Sequence, residues 1–546
     1  MTMKKAMNHV SATEKEVVEW TFTSAKQHND PFNELELDVI IIHESGDTWQ
    51  VPAFWSGKET WRARFAPPIN GHYTIHTICS DPADAGLHDE RRDMHVSPYA
   101  GENPLKIHGQ IRVSPDSRTF EHADGTPFFW LGDTWWMGLC NRLTWPDGFK
   151  KLAADRVKKG FTVIQIVAGL YPDMPAFDPR GANEAGFPWE ENFIRINPAY
   201  FDEADRRICW LVKCGLVPCI VGCWGYYLPI LGIEKMKQHW RYLIARWSAL
   251  PVIWCLAGEA AMPFYLSEEK ESDKNLQIDG WTQIGRYIGE IDPSDHPVTI
   301  HPDQVGRDQV EDDAVLDFDM LQSGHGGMES AANAVDQIQR ERDRMPFMPV
   351  VVGEVNYEGI VHGTQDEIQR LTFWTSFLSG AAGFTYGANG IWQLNTRDRP
   401  YGPSPHGGNW GDTPWEEAFQ CAGSHQLGLA RTFLEKFSWW NFEPHQEWVE
   451  PAGSPDNICA PFAAGIPGQI RIIYFYNPTF PWESIKPAVV AIENNVKYTA
   501  WFWDPGSGEE NEIGIVEPDD HGRWQIPLQP RFSDWVLVLD ATGALV

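Results

Sequence analysis

No stretch of this chain approaches the ~20 consecutive apolar residues that cross a bilayer, and its first 19 residues hold no apolar run of signal-peptide length. Neither a membrane span nor an export signal is therefore expected, and the sequence reads as that of a cytoplasmic protein. Basic residues are scarce, with 44 Lys and Arg against 75 Asp and Glu, a net charge of -31. Such a surface repels nucleic-acid phosphates and anionic lipid alike, which removes nucleic acid and membrane from the expected partners and leaves solubility as its plain consequence. Metal-binding spacings are missing too, for no CxxC, HxH or HExxH occurs. The nine cysteines are an odd number set singly in apolar surroundings, as in Cys219-Ile220-Val221-Gly222-Cys223, where reduced, buried thiols belong. A zinc site at Cys214, Cys219 and Cys223 is weakly supported, because a strand sends its side chains to opposite faces. Neither metal nor other cofactor is expected. There is also no low-complexity tract and no repeat of fixed period, which excludes a solenoid or propeller.

What is abundant is tryptophan, at 27 residues. A flat, rigid indole stacks on the apolar face of a sugar ring while donating one N–H, although part of the set must be ordinary core. A chain of 546 residues exceeds one hydrophobic core, and its texture changes twice. Residues 1–105 read as short strands and turns. Trp61-Arg62-Ala63-Arg64-Phe65 alternates apolar and basic residues with the period of a half-buried strand. Residues 106–442 alternate apolar strands with amphipathic helices, the pattern of parallel strands joined by helical crossovers. Strands are expected at 128–131, 163–167, 217–221, 252–256, 298–301, 318–322, 350–353 and 383–386, and eight closes a (β/α)8 barrel. Helix starts are written at Thr144-Trp145-Pro146-Asp147, at Asn197-Pro198 and as a capping box at Thr364-Gln365-Asp366-Glu367. Strands return over 443–546. The fold expected is α/β, a TIM barrel flanked by N-terminal and C-terminal β-sandwiches. In the second sandwich Trp501 and Trp503 are read as scaffold against the barrel in preference to glycan contacts.

In such a barrel the residues just after each strand line the catalytic mouth. Here these are Asp133, Trp135 and Trp136; Gln165; Trp224 and Tyr226; Glu259; His301; Gln322 and His325; Glu354, Tyr357 and Glu358; and Tyr386, with Trp392 beyond it. Cleaving a glycosidic bond takes one carboxylic acid to protonate the leaving oxygen and one carboxylate to attack or to activate water. Glu259 and Glu354 suit those tasks, since each follows a strongly apolar run, Val252-Ile253-Trp254-Cys255-Leu256 and Val350-Val351-Val352-Gly353. Their strands stand nearly opposite in an eight-membered ring. Either glutamate alone is more often a surface or salt-bridged carboxylate; the two together point to catalysis. Asp133 reads equally as a hydroxyl acceptor or as a capping hydrogen bond. Trp135, Trp136, Trp224 and Trp392 read as stacking platforms or core, and His301 and His325 as hydroxyl ligands.

Three segments are familiar as well. Thr126-Pro127-Phe128-Phe129-Trp130-Leu131-Gly132-Asp133-Thr134 resembles the opening of the apiosidase-like (DUF4038) glycoside hydrolases. Pro349 to Gly359 resembles that family's seventh-strand segment, and Gly383 to Gln393 its eighth-strand signature. Trp61 to Pro67 is similar to the DUF5060 sandwich that often precedes such barrels. The resemblance implies a (β/α)8 fold and retaining chemistry with Glu354 as nucleophile. It departs at the fourth strand, where family members often carry Asp after the glycine and this chain has Glu259. The expectation is thus a retaining hydrolase, exo-acting on a plant or algal oligosaccharide, with Glu259 as acid/base. Two alternatives stay open: a non-catalytic carbohydrate-binding protein, and an inverting or metal-dependent barrel hydrolase. The oligomeric state is not legible.

Overall fold

The computed structural model describes residues 8–476 and 486–541. The outer ends of the first and third expected units, 1–7 and 542–546, and the piece 477–485 lie outside the described residues. At the centre stand eight parallel strands: β1 Trp130–Thr134, β2 Val163–Val167, β3 Val217–Val221, β4 Ile253–Cys255, β5 Val298–Thr299, β6 Asp319–Gln322, β7 Val350–Glu354 and β8 Gly383–Tyr386. All are buried along their whole length, which is why they read as unbroken apolar runs and not as alternations. Each lies beside its neighbours in sequence, and β1 pairs with β8. The ring closes between β5 and β6 without a ladder. There the Asp317 N–H donates to the Val298 carbonyl at 2.8 Å and the Thr299 hydroxyl to the Phe318 carbonyl at 2.9 Å. The fold is the expected (β/α)8 barrel.

The crossovers are α1 Asp147–Lys158, α2 Pro198–Lys213, α3 Ile233–Trp247, α4 Lys270–Ile291, α5 Met328–Arg342 and α6 Asp366–Leu378, with α7 Ala422–Leu434 after β8. Helix α2 starts where Asn197-Pro198 says, the Asn197 side chain accepting the Ala199 N–H at 3.2 Å. Between β5 and β6 the alternation breaks, and two short 3-10 turns, Gly306–Gln309 and Asp313–Val315, replace a helix. The capping box at Thr364 does not form. Helix α6 begins after Gln365 without a side-chain cap, and the Thr364 hydroxyl accepts from the Asn356 amide instead.

The expected first strand, 128–131, spans two elements. Pro127–Phe128 closes a small antiparallel sheet with Phe120–His122 and Ile111–Val113. Phe120 of that sheet packs on Trp130 and Phe318 at 5.3 and 5.1 Å, covering the end of the barrel opposite the mouth. Strand β1 itself starts at Trp130, so Asp133 falls inside it.

Before the barrel lie a five-stranded and a three-stranded sheet. In Thr60–Phe65, Trp61, Ala63 and Phe65 are buried. Arg64 turns the other way, to Asp205 of α2 at 2.6 Å and the Arg246 carbonyl of α3 at 3.0 Å. Of the two basic residues in that alternation, Arg64 therefore docks the unit on the barrel. Asn8–Thr13 and Arg91–Ser97 extend the larger sheet, and only Met94 and Val96 of the latter are buried, too sparse a pattern to announce a strand. After the barrel, a six-stranded sheet packs one face on a three-stranded one. Ile473, Phe475, Leu537 and Leu539 form that core, while Ile472, Tyr474, Val536 and Val538 join the barrel core. Trp503 stacks on Phe433 of α7 at 4.4 Å, and Trp501 and Trp503 are both buried.

Candidate active site

Glu354 ends β7, and a bulge sets its position. Strands β6 and β7 pair in step as far as Leu321 with Val352; then Gln322 stands opposite Glu354, with Gly353 as the extra residue. Glu259 follows β4 in the left-handed region, at φ 42°, a conformation that costs a non-glycine residue ~1–3 kcal/mol and collects at functional sites. Just before it, Gly258 lies so close to Trp224 that a Cβ would collide with the indole. That approach lets Trp224 Nε1 donate to Glu259 Oε2 at 3.1 Å. Between the carboxyls stands one amide. Gln322 Nε2 is 3.3 Å from Glu259 Oε1 and 3.4 Å from Glu354 Oε1, so the two oxygens are no further apart than those lengths together, about 6.7 Å.

The surroundings of the two carboxyls differ. His301 Nε2 lies 3.1 Å from Glu354 Oε2, and His325 Nε2 lies 3.1 Å from Oε1. The other His301 nitrogen, Nδ1, accepts the Glu259 backbone N–H at 3.4 Å, which in a neutral ring leaves the hydrogen on Nε2. Burial raises both carboxyl pKa values. For Glu354 the two imidazoles overcome it and bring the pKa down to about 2. For Glu259 the negative charge of Glu354 adds to burial and lifts the pKa to about 7. Burial opposes charge on His325, yet contact with Glu354 prevails and raises its pKa. Tyr357 accepts from Trp136 Nε1 at 3.1 Å, and burial beside Glu354 keeps its hydroxyl protonated. At neutral pH Glu354 is thus ionised while about half of Glu259 still holds its proton, the division that acid and nucleophile need.

Both glutamates line a cavity of about 620 Å³ at the C-terminal mouth of the barrel, together with Trp136, Trp224, Gln322, His325, Tyr357 and Trp392. The Trp392 indole N–H is buried and finds no hydrogen-bond partner among the described residues. His301 is buried behind Glu354. Six other sequence candidates do not line the cavity. Asp133 faces α1, where it accepts from Arg156 Nε at 2.5 Å and from Trp135 Nε1 at 2.6 Å, and all three side chains are buried. Gln165 points into the barrel, its amide donating to the Gly353 carbonyl at 3.0 Å and its oxygen accepting from Thr385 at 2.8 Å. The Tyr226 hydroxyl donates to the carbonyls of Tyr171 and Met174 at 2.7 and 2.9 Å. Tyr386 donates to Glu358 at 2.5 Å, and Glu358 accepts the Gly423 N–H at 3.1 Å, so this pair holds the start of α7. These are structural hydrogen bonds at positions that strand counting alone had put at the mouth.

A model of the family described as "Apiosidase-like, catalytic domain" matches residues 114–441. The chain belongs to the apiosidase-like family. It is a glycoside hydrolase, an enzyme that acts on carbohydrate. A second model, DUF5060, a domain of unknown function, matches residues 13–80. Among solved structures, the apiosidase-like chain is similar to a putative glycoside hydrolase from Bacteroides vulgatus, with 18% identity and a TM-score of 0.67 over 98% of this chain and 100% of the other. A glycoside hydrolase family 5 protein from Bacteroides vulgatus gives 21% identity and 0.66 over 82% and 96%. A further glycoside hydrolase gives 22% and 0.64 over 82% and 99%. At these identities the likeness is one of fold. Comparison with curated proteins gives no match.

The far wall of the apiosidase-like cavity comes from loops that no strand-end pattern marks. Asp173, after β2, accepts from the Ser404 hydroxyl at 2.7 Å and from Trp410 Nε1 at 3.0 Å, both contributed by the loop after β8. Tyr265, after β4, stacks on His406 at 5.1 Å. Asp173, Tyr265, His406 and Trp410 all line the cavity, as does Lys270 at the start of α4. The abundance of tryptophan was the only sequence signal for any of them. Among the described residues no group of three or more His, Cys, Asp or Glu is arranged to hold a metal ion, and no helix is long and apolar enough to cross a membrane.

Proposed function

We propose that this hydrolase works with retention, Glu354 as nucleophile and Glu259 as acid/base, releasing a terminal sugar from a plant or algal oligosaccharide. The observation that carries the reading is the single amide within reach of two carboxyls of opposite proton affinity. Retaining pairs stand ~5–5.5 Å apart and inverting pairs ~6.5–9.5 Å. A ceiling of about 6.7 Å between the Oε1 atoms accommodates the retaining spacing.

In this scheme Glu354, ionised between its two imidazoles, attacks the anomeric carbon while Glu259 delivers its proton to the departing oxygen. The glycosyl-enzyme bond neutralises Glu354. Glu259, now ionised, takes a proton from water, which attacks the same carbon and expels Glu354 as the carboxylate. The wall of Asp173, Tyr265, His406 and Trp410 favours a pocket over an open groove, and a pocket suits a chain end. Trp136, Trp224, Trp392 and Trp410 supply aromatic surface for the sugar. Assaying a panel of nitrophenyl glycosides and pectic oligosaccharides tests the reading. Glu354→Gln should abolish turnover with circular dichroism unchanged, whereas hydrolysis at the wild-type rate would remove Glu354 from the mechanism.

A further inference from the structure

Gln322 has no part in the chemical steps above, since a neutral amide neither attacks carbon nor protonates a leaving oxygen. Its placement is nevertheless heavily determined. The bulge at Gly353 puts Gln322 opposite Glu354, where an uninterrupted ladder would put Gly353. That bulge is held from the opposite side of the barrel, because Gln165 donates to the Gly353 carbonyl at 3.0 Å. It also requires glycine, as a Cβ at 353 would collide with Met320. The Gln322 main chain is fixed on both sides, its N–H donating to the Gln304 carbonyl at 2.9 Å and its carbonyl accepting from Gln337 Nε2 of α5 at 3.3 Å. Its side chain is buried, so it has little freedom to swing aside. The amide presents its nitrogen end to the two carboxyls, within reach of one oxygen of each.

We propose that Gln322 is a positioning residue, whose two N–H groups set the separation of Glu259 and Glu354 and balance the proton between them. The proposal rests on the roles given to those glutamates above. A third carboxyl here would repel both, and an apolar side chain would leave their distance to chance. A donor shared by both keeps them close without adding charge. Because its N–H favours ionised Glu259, removing the amide makes Glu259 hold its proton to higher pH.

Gln322→Met keeps the side chain's length and removes both donors. The expected result is a fall in kcat of at least about ten-fold, KM within about three-fold of wild type, and an alkaline limb of the kcat/KM profile displaced to higher pH. A purely structural role would lower activity without moving that limb, and either that outcome or wild-type kinetics overturns the proposal. A 13C NMR titration of labelled glutamate carboxyls, with Glu259 assigned through Glu259→Gln, reads the same displacement without substrate. That arm separates the two readings. If Glu354→Gln stays active, the assignment of roles fails, while the titration still reports whether Gln322 governs the proton on Glu259; an unmoved Glu259 titration in Gln322→Met refutes the coupling.

Discussion

Replacing Asp133 separates structure from chemistry more sharply than any other single change. Its carboxylate accepts from Arg156 Nε at 2.5 Å, Trp135 Nε1 at 2.6 Å and the Thr134 N–H at 3.0 Å. Asp133 and Arg156 are both fully buried, so the guanidinium keeps its charge because carboxylates adjoin it. In Asp133→Asn the volume is conserved and one acceptor oxygen survives, but Arg156 retains only Asp155, at 2.6 Å, as an anionic partner. Removing one member of a buried pair costs ~3–5 kcal/mol. The surviving hydrogen bonds place this variant near ~3 kcal/mol, a large share of the ~5–15 kcal/mol that stabilises a typical domain. With a urea slope of ~3 kcal/mol per molar, the unfolding midpoint falls by about 1 M. Urea titration followed by tryptophan fluorescence, paired with kcat/KM at a temperature where the variant stays folded, measures both sides. A purely structural Asp133 gives the lower midpoint together with kcat/KM within about two-fold of wild type. An unmoved midpoint with a raised KM would show that Asp133 reaches the sugar and would refute the reasoning.

The pH dependence of kcat/KM should fall as pH rises through about 7, where Glu259 loses the proton it donates, and on the acid side only as pH drops toward about 2, where Glu354 gains one; a stopped pH series over short incubations reads both limbs, and full activity at pH 9 would contradict the assignment. Asp319 on β6 is buried, with one oxygen on the Arg307 N–H at 3.0 Å and the other without a hydrogen-bond partner among the described residues, and burial near Glu341 pushes its pKa up to about 8. The folded chain therefore keeps a proton that the unfolded chain loses above about 4, so this residue's contribution is complete below that pH and is lost as pH rises to about 8, by ~1.4 kcal/mol per pH unit at most. Asp319→Asn should match wild type at pH 4 and exceed it in urea resistance at pH 8, and equal stabilities at pH 8 would dismiss the effect. Trp503→Ala deletes the ring stacked on Phe433 and set 5.8 Å from Trp374, a loss of ~3–5 kcal/mol. Limited proteolysis should then cut the C-terminal unit first, and a wild-type cleavage pattern would argue against that docking.

The barrel was legible because its strands are buried on both faces and therefore apolar throughout, so that Glu259 and Glu354 stood out as the first carboxylates after two such runs. The same logic misplaced Asp133. The two phenylalanines before Trp130 read as part of one apolar strand, yet Pro127–Phe128 pairs with Phe120–His122, and the barrel strand begins two residues later than its pattern and takes Asp133 inside. Tyr386 and Glu358 were correctly found near strand ends, but which way they turn depends on α7, distant in sequence from both. Loop residues were beyond reach for a related reason. Asp173 is fixed by Ser404 and Trp410, 231 and 237 positions away, and no local periodicity records such contacts. The bulge at Gly353 is equally silent in one dimension, since Val-Val-Val-Gly-Glu looks like any strand end until β6 is laid beside it.

The most direct test is the stereochemistry of the first product. Proton NMR of the anomeric signal during the opening turnovers on the best glycoside of the panel, before mutarotation, distinguishes the two displacements. Carboxyls held together by one amide predict a sugar released with the substrate's own anomeric configuration; a sugar of opposite configuration would contradict the assignment of Glu354 as nucleophile.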